Sequence, residues 1–162
     1  MHWATTTFTI SRTTLARIHT LFQNTSVALG ENYPSAKLTT ACSIQSVPAA
    51  PPNSNPNSLG FNSTLSPEKS LVNIGLAFQY EDPAATDALL QANKRLAEQV
   101  DRIAEEEGVK DPHLYLNYAG SWQDVFAGYG KESLENMRRV AKKYDKHGMF
   151  QKQVRGGFKL YK

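Results

Sequence analysis

The sequence predicts an α+β fold: a ferredoxin-like antiparallel sheet in the order β-α-β-β-α-β, with both helices on one face and a carboxy-terminal helical extension. Three observations carry this expectation. Stretches of period two and stretches of period three to four follow one another in that order along the chain. Residues 71–80, LVNIGLAFQY, alternate Val72, Ile74, Leu76 and Phe78, while Leu71, Ala77 and Tyr80 suggest cover on the second face as well. A length of 162 residues, 40% hydrophobic, with a single cysteine, suits one core held without disulfides or a thiolate metal cluster.

Residues 3–10, WATTTFTI, are rich in threonine and aromatics and form the first predicted strand. A helix follows, capped by Ser11 or Thr13, with Leu15, Ile18, Leu21 and Phe22 on its buried face and His19 beside that face as a surface or core histidine. Gly30, Asn32 and Pro34 break the chain, and residues 37–47 make the second strand, in which Cys42 reads as a buried inert thiol. Residues 48–57, PAAPPNSNPN, contain four prolines and form a loop, and residues 58–61 a turn. After the strand at 71–80, Glu81, Asp82 and Pro83 open the longest helix, with Leu89, Leu90, Leu96, Ala97, Val100, Ile103 and Ala104 as its stripe. Glu105, Glu106, Glu107 and Gly108 end it, and three carboxylates at the negative end of a helix call for solvent or a basic neighbour.

The stretch at residues 112–130, PHLYLNYAGSWQDVFAGYG, organises the rest. Residues 113–118 read as the last strand, entered from the helix stop at Gly108 and Pro112. Alternation would place Asn117 and Tyr118 on opposite faces of the sheet. Asn117 can donate and accept through its amide, and Tyr118 offers a phenol that shuttles protons if lowered from its ordinary pKa of about 10. The structural reading of the same pair is a strand end with Asn117 satisfying backbone groups and Tyr118 in the core with its hydroxyl at the rim. A short helical piece and a helix over 131–144 follow, with Leu134, Met137, Val140, Ala141 and Tyr144 on one face; Gly156 and Gly157 permit a tight path, and Phe158 and Leu160 anchor the tail. The expected organisation is thus an α+β substrate-type domain over 1–130 and a helix and tail over 131–162 that pack on it or on a partner. The sheet's second face needs cover, from the last helix or from a second chain.

Ten of the eighteen Lys and Arg residues lie from Lys131 onward, against three acidic residues there. No recognition helix, zinc spacing or aromatic RNA-binding signature accompanies this charge, so it reads as a solvated face or a surface for an acidic partner and not as a nucleic-acid module. No apolar run reaches the roughly 20 residues of a membrane span, and the amino terminus lacks a signal-peptide core, which makes a cytoplasmic location the default expectation.

The carboxy-terminal half resembles the end of fungal FAD-linked oxidases of the berberine bridge enzyme type, within the wider vanillyl-alcohol oxidase group. The phrases that carry the resemblance are Tyr115-Leu116-Asn117-Tyr118, Tyr129-Gly130, VAKKYDKHGMFQ at 140–151 and Gly156-Gly157-Phe158-Lys159-Leu160, in that order. Looser similarity runs upstream through the first strand, SIQSVP, SLGF and the helix before Gly108. The resemblance implies a truncated relative, the substrate-binding part of such an enzyme in fungal secondary metabolism; the family's larger FAD-binding front portion has no counterpart here. It implies Tyr118 as the leading catalytic base and Asn117 as the flavin-side contact. Two positions depart from the family pattern: Gly120 stands where an acid often follows Asn-Tyr-Ala, which removes a possible polar partner of the site, and Lys146 stands where proline usually follows Tyr-Asp.

The isolated chain is therefore expected to hold no cofactor, FAD belonging to the full-length family, with a small-molecule substrate and either a homodimer or a flavoprotein partner. A second reading keeps the pocket and drops redox chemistry: a cyclase or isomerase acting on a polyketide- or alkaloid-like intermediate, with Tyr118, Tyr115 or His113 as the acid or base. A third is a non-catalytic partner protein. No metal site is expected.

Overall fold

A computed structural model describes residues 1–47 and 70–161; the loop and turn expected over 48–61 lie outside the described residues. Four strands form one sheet in the order β2-β3-β1-β4. They are β1 (His2–Thr9), β2 (Thr39–Val47), β3 (Leu71–Gln79) and β4 (Lys110–Asp111), interleaved with α1 (Arg12–Asn32) and α2 (Thr86–Glu106). Every pairing is antiparallel, with Thr5 opposite Gly75, Ser43 opposite Gly75 on the other side, and Phe8 opposite Lys110. This is the β-α-β-β-α-β arrangement the periodicity predicts.

The register sorts the side chains. Ala4 and Phe8 from β1 and Val72, Ile74, Leu76 and Phe78 from β3 point to the helical side, where they meet Ile18 and Leu29 of α1 and Leu89, Leu96 and Val100 of α2 in one cluster. α1 starts where expected: the Ser11 hydroxyl accepts from Thr14 N at 3.3 Å. Leu15, Leu21 and Phe22 are half-buried against the core, and His19 is exposed. α2 is preceded by a short 3-10 turn, Pro83–Ala85, capped by the Asp82 carboxylate accepting from Ala84 N. At its other end the basic neighbour called for by the acid run is Arg17, whose guanidinium bridges Glu106 at 2.6 Å and Glu107 at 2.7 Å. Cys42 is half-buried, and burial pushes its thiol up from the ordinary value, as an inert thiol requires.

Two expectations are corrected. The fourth strand is not residues 113–118; it is the dipeptide Lys110–Asp111, and Leu116–Tyr118 is a 3-10 turn. Pairing with β1 stops at Asp111: the register would bring His113 opposite Thr5, but the His113 N–H turns to the Asp111 carboxylate and the backbone groups of Thr5 are taken by Gln123. Nor does the last helix cover the second face of the sheet. That face, made by Trp3, Thr5, Thr7, Asn73 and Gly75, lies under the segment from Tyr118 to Gln123, as the Tyr118 and Gln123 contacts below show. Helix α3 (Lys131–Tyr144) contains no buried residue. It packs near the 3-10 turn Val125–Tyr129 and is followed by α4 (Met149–Lys152), whose Met149 and Phe150 amides donate to the Asp145 carboxylate. The tail returns along α3: Arg138 donates to Leu160 O at 3.0 Å and the Tyr161 hydroxyl donates to Arg138 O at 3.0 Å. Gly156 and Gly157 permit that return with φ of 75° and 65°.

The short β4 is tied to α2 by charge. Lys110 Nζ meets the Asp101 carboxylate, and both contact the hydroxyl of the buried Thr6. The pair is partly open to solvent, so Asp101→Ala is expected to lower stability by about 1 to 2 kcal/mol in urea denaturation, the scale of a charge-assisted hydrogen bond. A change under a few tenths of a kcal/mol would mean that β4 is held by its backbone alone.

Candidate functional site

The second face of the sheet is polar at its centre. Thr5 and Thr7 of β1 and Asn73 of β3 are buried there, and Asn73 Nδ2 donates to Thr5 Oγ1 at 2.7 Å and Thr7 Oγ1 at 3.2 Å. Gly75 sits next along β3. A glycine inside an otherwise apolar strand marks a close approach, and here the approaching group is Tyr118: an ideal Cβ at position 75 would lie 2.9 Å from Tyr118 Cδ2.

Tyr118 therefore rests its ring on bare backbone. Trp3 stacks on that ring at 5.1 Å and 15°, and Tyr115 meets it edge-on at 5.1 Å and 88°. The Tyr118 hydroxyl reaches Gln45 on the edge strand β2, whose Nε2 donates to it at 3.0 Å. Asn117 is exposed and its Nδ2 donates to the Tyr115 hydroxyl at 2.9 Å. Two phenols, each accepting from a carboxamide, are thus placed at the surface end of an aromatic cluster. The Gln45 amide donates to the Tyr118 oxygen whether or not the phenol holds its proton, and such a donor favours the deprotonated form that a proton-accepting group needs.

Of the sequence candidates, the structure brings together Tyr115, Asn117 and Tyr118. His113 belongs to a different packing group: it is buried, its ring stacks on Tyr129 at 5.2 Å and 9°, and its backbone N–H donates to the Asp111 carboxylate. Tyr129 is itself packed edge-on against Phe126, and burial raises its phenol above the ordinary value. Sequence reasoning missed Trp3, Gln45 and Gln123. The signal for Trp3 was available, since alternation places it on the face of Thr5; Gln45 and Gln123 sit in polar runs that mark nothing.

Asn117 offers an exposed carboxamide beside aromatic faces, whereas the strand-to-helix connections at residues 10–11 and 80–85 contain no glycine to cradle phosphate. No cluster of three potential metal ligands is present among the described residues, and no helix there is long and apolar enough to cross a membrane.

Comparison with known proteins gives fungal FAD-dependent monooxygenases at partial coverage. The chain is 42% identical over 93 residues to the FAD-dependent monooxygenase sdcF of Emericella nidulans, a match covering 57% of this chain and 19% of that protein. It is 57% identical over 49 residues to drtC of Aspergillus calidoustus, covering 30% of this chain and 9% of the relative. It is 35% identical over 95 residues to CTB5 of Cercospora nicotianae, covering 57% of this chain and 21% of the relative. The matched part is about a fifth or less of each of these relatives. No family model matches the chain, and no solved structure does.

Proposed function

We propose that the chain is the substrate-binding part of an FAD-linked oxidoreductase of the berberine bridge enzyme type, acting on a small molecule of fungal secondary metabolism. Tyr118 is the base that takes a proton from the substrate, Tyr115 beside it is the further acid/base candidate, and Asn117 faces the flavin. The observation that carries the reading is the Tyr118 hydroxyl, held by Gln45 above Gly75 at the rim of an aromatic cluster. The FAD-dependent monooxygenases among its relatives support the redox class. The exposed Phe150 and Met149 of α4 support the partner: a second copy of this chain or a flavoprotein covers them.

The purified chain alone is expected to be colourless and to hold no stoichiometric flavin. Visible absorption that survives denaturation and desalting would show covalent flavin and overturn this expectation. Once the chain is combined with the flavin-binding portion of a relative such as the Emericella nidulans protein, Tyr118→Phe is expected to slow flavin reduction by about 100-fold or more, the usual size of a general-base contribution. Substrate affinity should change little. Equal rates for wild type and variant would remove Tyr118 from the chemistry.

A further inference from the structure

The connection between β4 and Tyr118 depends on one side chain. β1 turns the backbone groups of its odd-numbered residues towards the β4 edge: Thr9 N donates to Val109 O at 2.8 Å, and Thr7 stands opposite Asp111. Thr5 comes next and would take the next pair of ladder bonds. The register would set His113 opposite it, but β4 ends at Asp111 and the His113 N–H is donated to the Asp111 carboxylate instead. Thr5 is fully buried, so water cannot serve its backbone either.

Gln123 supplies both bonds. Its Nε2 donates to Thr5 O at 2.8 Å and its Oε1 accepts from Thr5 N at 3.0 Å, the two-bond pattern of an antiparallel partner made by one carboxamide. The same Oε1 accepts from Gly120 N at 3.0 Å. Gly120 follows Tyr118 by two residues and is pressed against β1, since a Cβ there would lie 2.5 Å from Trp3 O. The loop that bears Tyr118 is thereby fixed to the central strand at two neighbouring points.

We propose that Gln123 is the positioning residue for Tyr118: its carboxamide replaces the missing continuation of β4 and holds the loop so that the Tyr118 ring lies on Gly75 with its hydroxyl at Gln45. The consequence for turnover rests on the reading of Tyr118 as the working base; the geometry does not. A glutamate at 123 keeps the shape and loses the donor at neutral pH, placing a negative charge beside Thr5 O. Protonated, it regains one O–H donor and one carbonyl acceptor and can remake the pair. Burial raises the carboxyl's pKa above its ordinary value of about 4.3, which brings that protonation into a mild range.

The test is NMR of the chain, following the nuclear Overhauser contact between the Tyr118 ring and the Gly75 α-protons, with β1–β3 amide signals as the check on folding. Wild type should show the contact from pH 5 to pH 8. Gln123→Glu should lose it at pH 8 and recover it towards pH 5, while Gln123→Met, which keeps volume and forms no such bonds, should lack it throughout with the β1–β3 signals intact. Persistence of the contact in Gln123→Met, or in Gln123→Glu at pH 8, would overturn the proposal. So would loss of the β1–β3 signals in both variants, which would make Gln123 a general structural residue. Full turnover by Tyr118→Phe would remove the functional reading of Tyr118 and leave the positioning result standing.

Discussion

Gly120→Asp is expected to destabilise the chain by about 3 kcal/mol or more, through a clash and a buried charge acting together. The acid often found after Asn-Tyr-Ala in the resembling enzymes cannot be added here as a simple side chain. Gly120 is buried, and a Cβ would stand 2.5 Å from Trp3 O and 2.6 Å from the indole Nε1 of Trp122. The carboxylate would then face a backbone oxygen of β1 in a buried site. Gly120→Ala isolates the steric share and should cost about 1 to 3 kcal/mol. Urea denaturation of the two variants beside wild type measures both. An aspartate variant within 1 kcal/mol of wild type would mean that the loop does not close on β1 as described.

Association is the second large effect, and it concerns α4. Phe150 is 59% exposed and Met149 46% exposed on a segment that carries most of the chain's positive charge. The rest of the chain is acidic, with twelve Asp and Glu against eight Lys and Arg over residues 1–130, so a second copy offers the complementary charge. The expected result is a homodimer in sedimentation velocity, weakened by salt. Phe150→Ser should weaken it by about 100-fold or more, because burial of each aromatic side chain contributes roughly 1.5 to 3 kcal/mol and a two-fold dimer contains two. Phe158→Ser should behave differently: Phe158 is already half-buried inside the α3–tail hairpin, and its loss should loosen that hairpin first. A wild-type chain that stays monomeric at high concentration and low salt would end the homodimer proposal.

Much of this was legible in the residues. The alternation of Val72, Ile74, Leu76 and Phe78 located β3 to within one residue, and Ser11 marked the start of α1. The last strand was misplaced because residues 113–118 have the composition of a strand, while the β1 backbone they would pair with is taken by the Gln123 side chain and the His113 N–H by Asp111. Tyr118 and Asn117 could be named from their chemistry. Their partners could not, because Trp3, Gln45 and Gly75 reach Tyr118 only through the sheet register, from positions 115, 73 and 43 residues away. His113 looked equivalent to Tyr118 on sequence distance, and the change of direction at the 3-10 turn put it beside Tyr129 instead.

The strand order also sets a schedule for synthesis. β1 is made before its sheet partners and lies inside the sheet, between β3 and β4. Its first partner is complete only at residue 79, its second at 111, and the side chain that closes its remaining edge only at 123. A ribosome adding about 5 to 20 residues per second therefore holds β1 unpaired for several seconds, with Phe8 and its threonine row available to other chains. β2 and β3 pair across 24 to 40 residues, but entry of β1 into the sheet must wait for contacts separated by more than sixty residues, a non-local step that slows completion of the fold before the chemistry of the site exists.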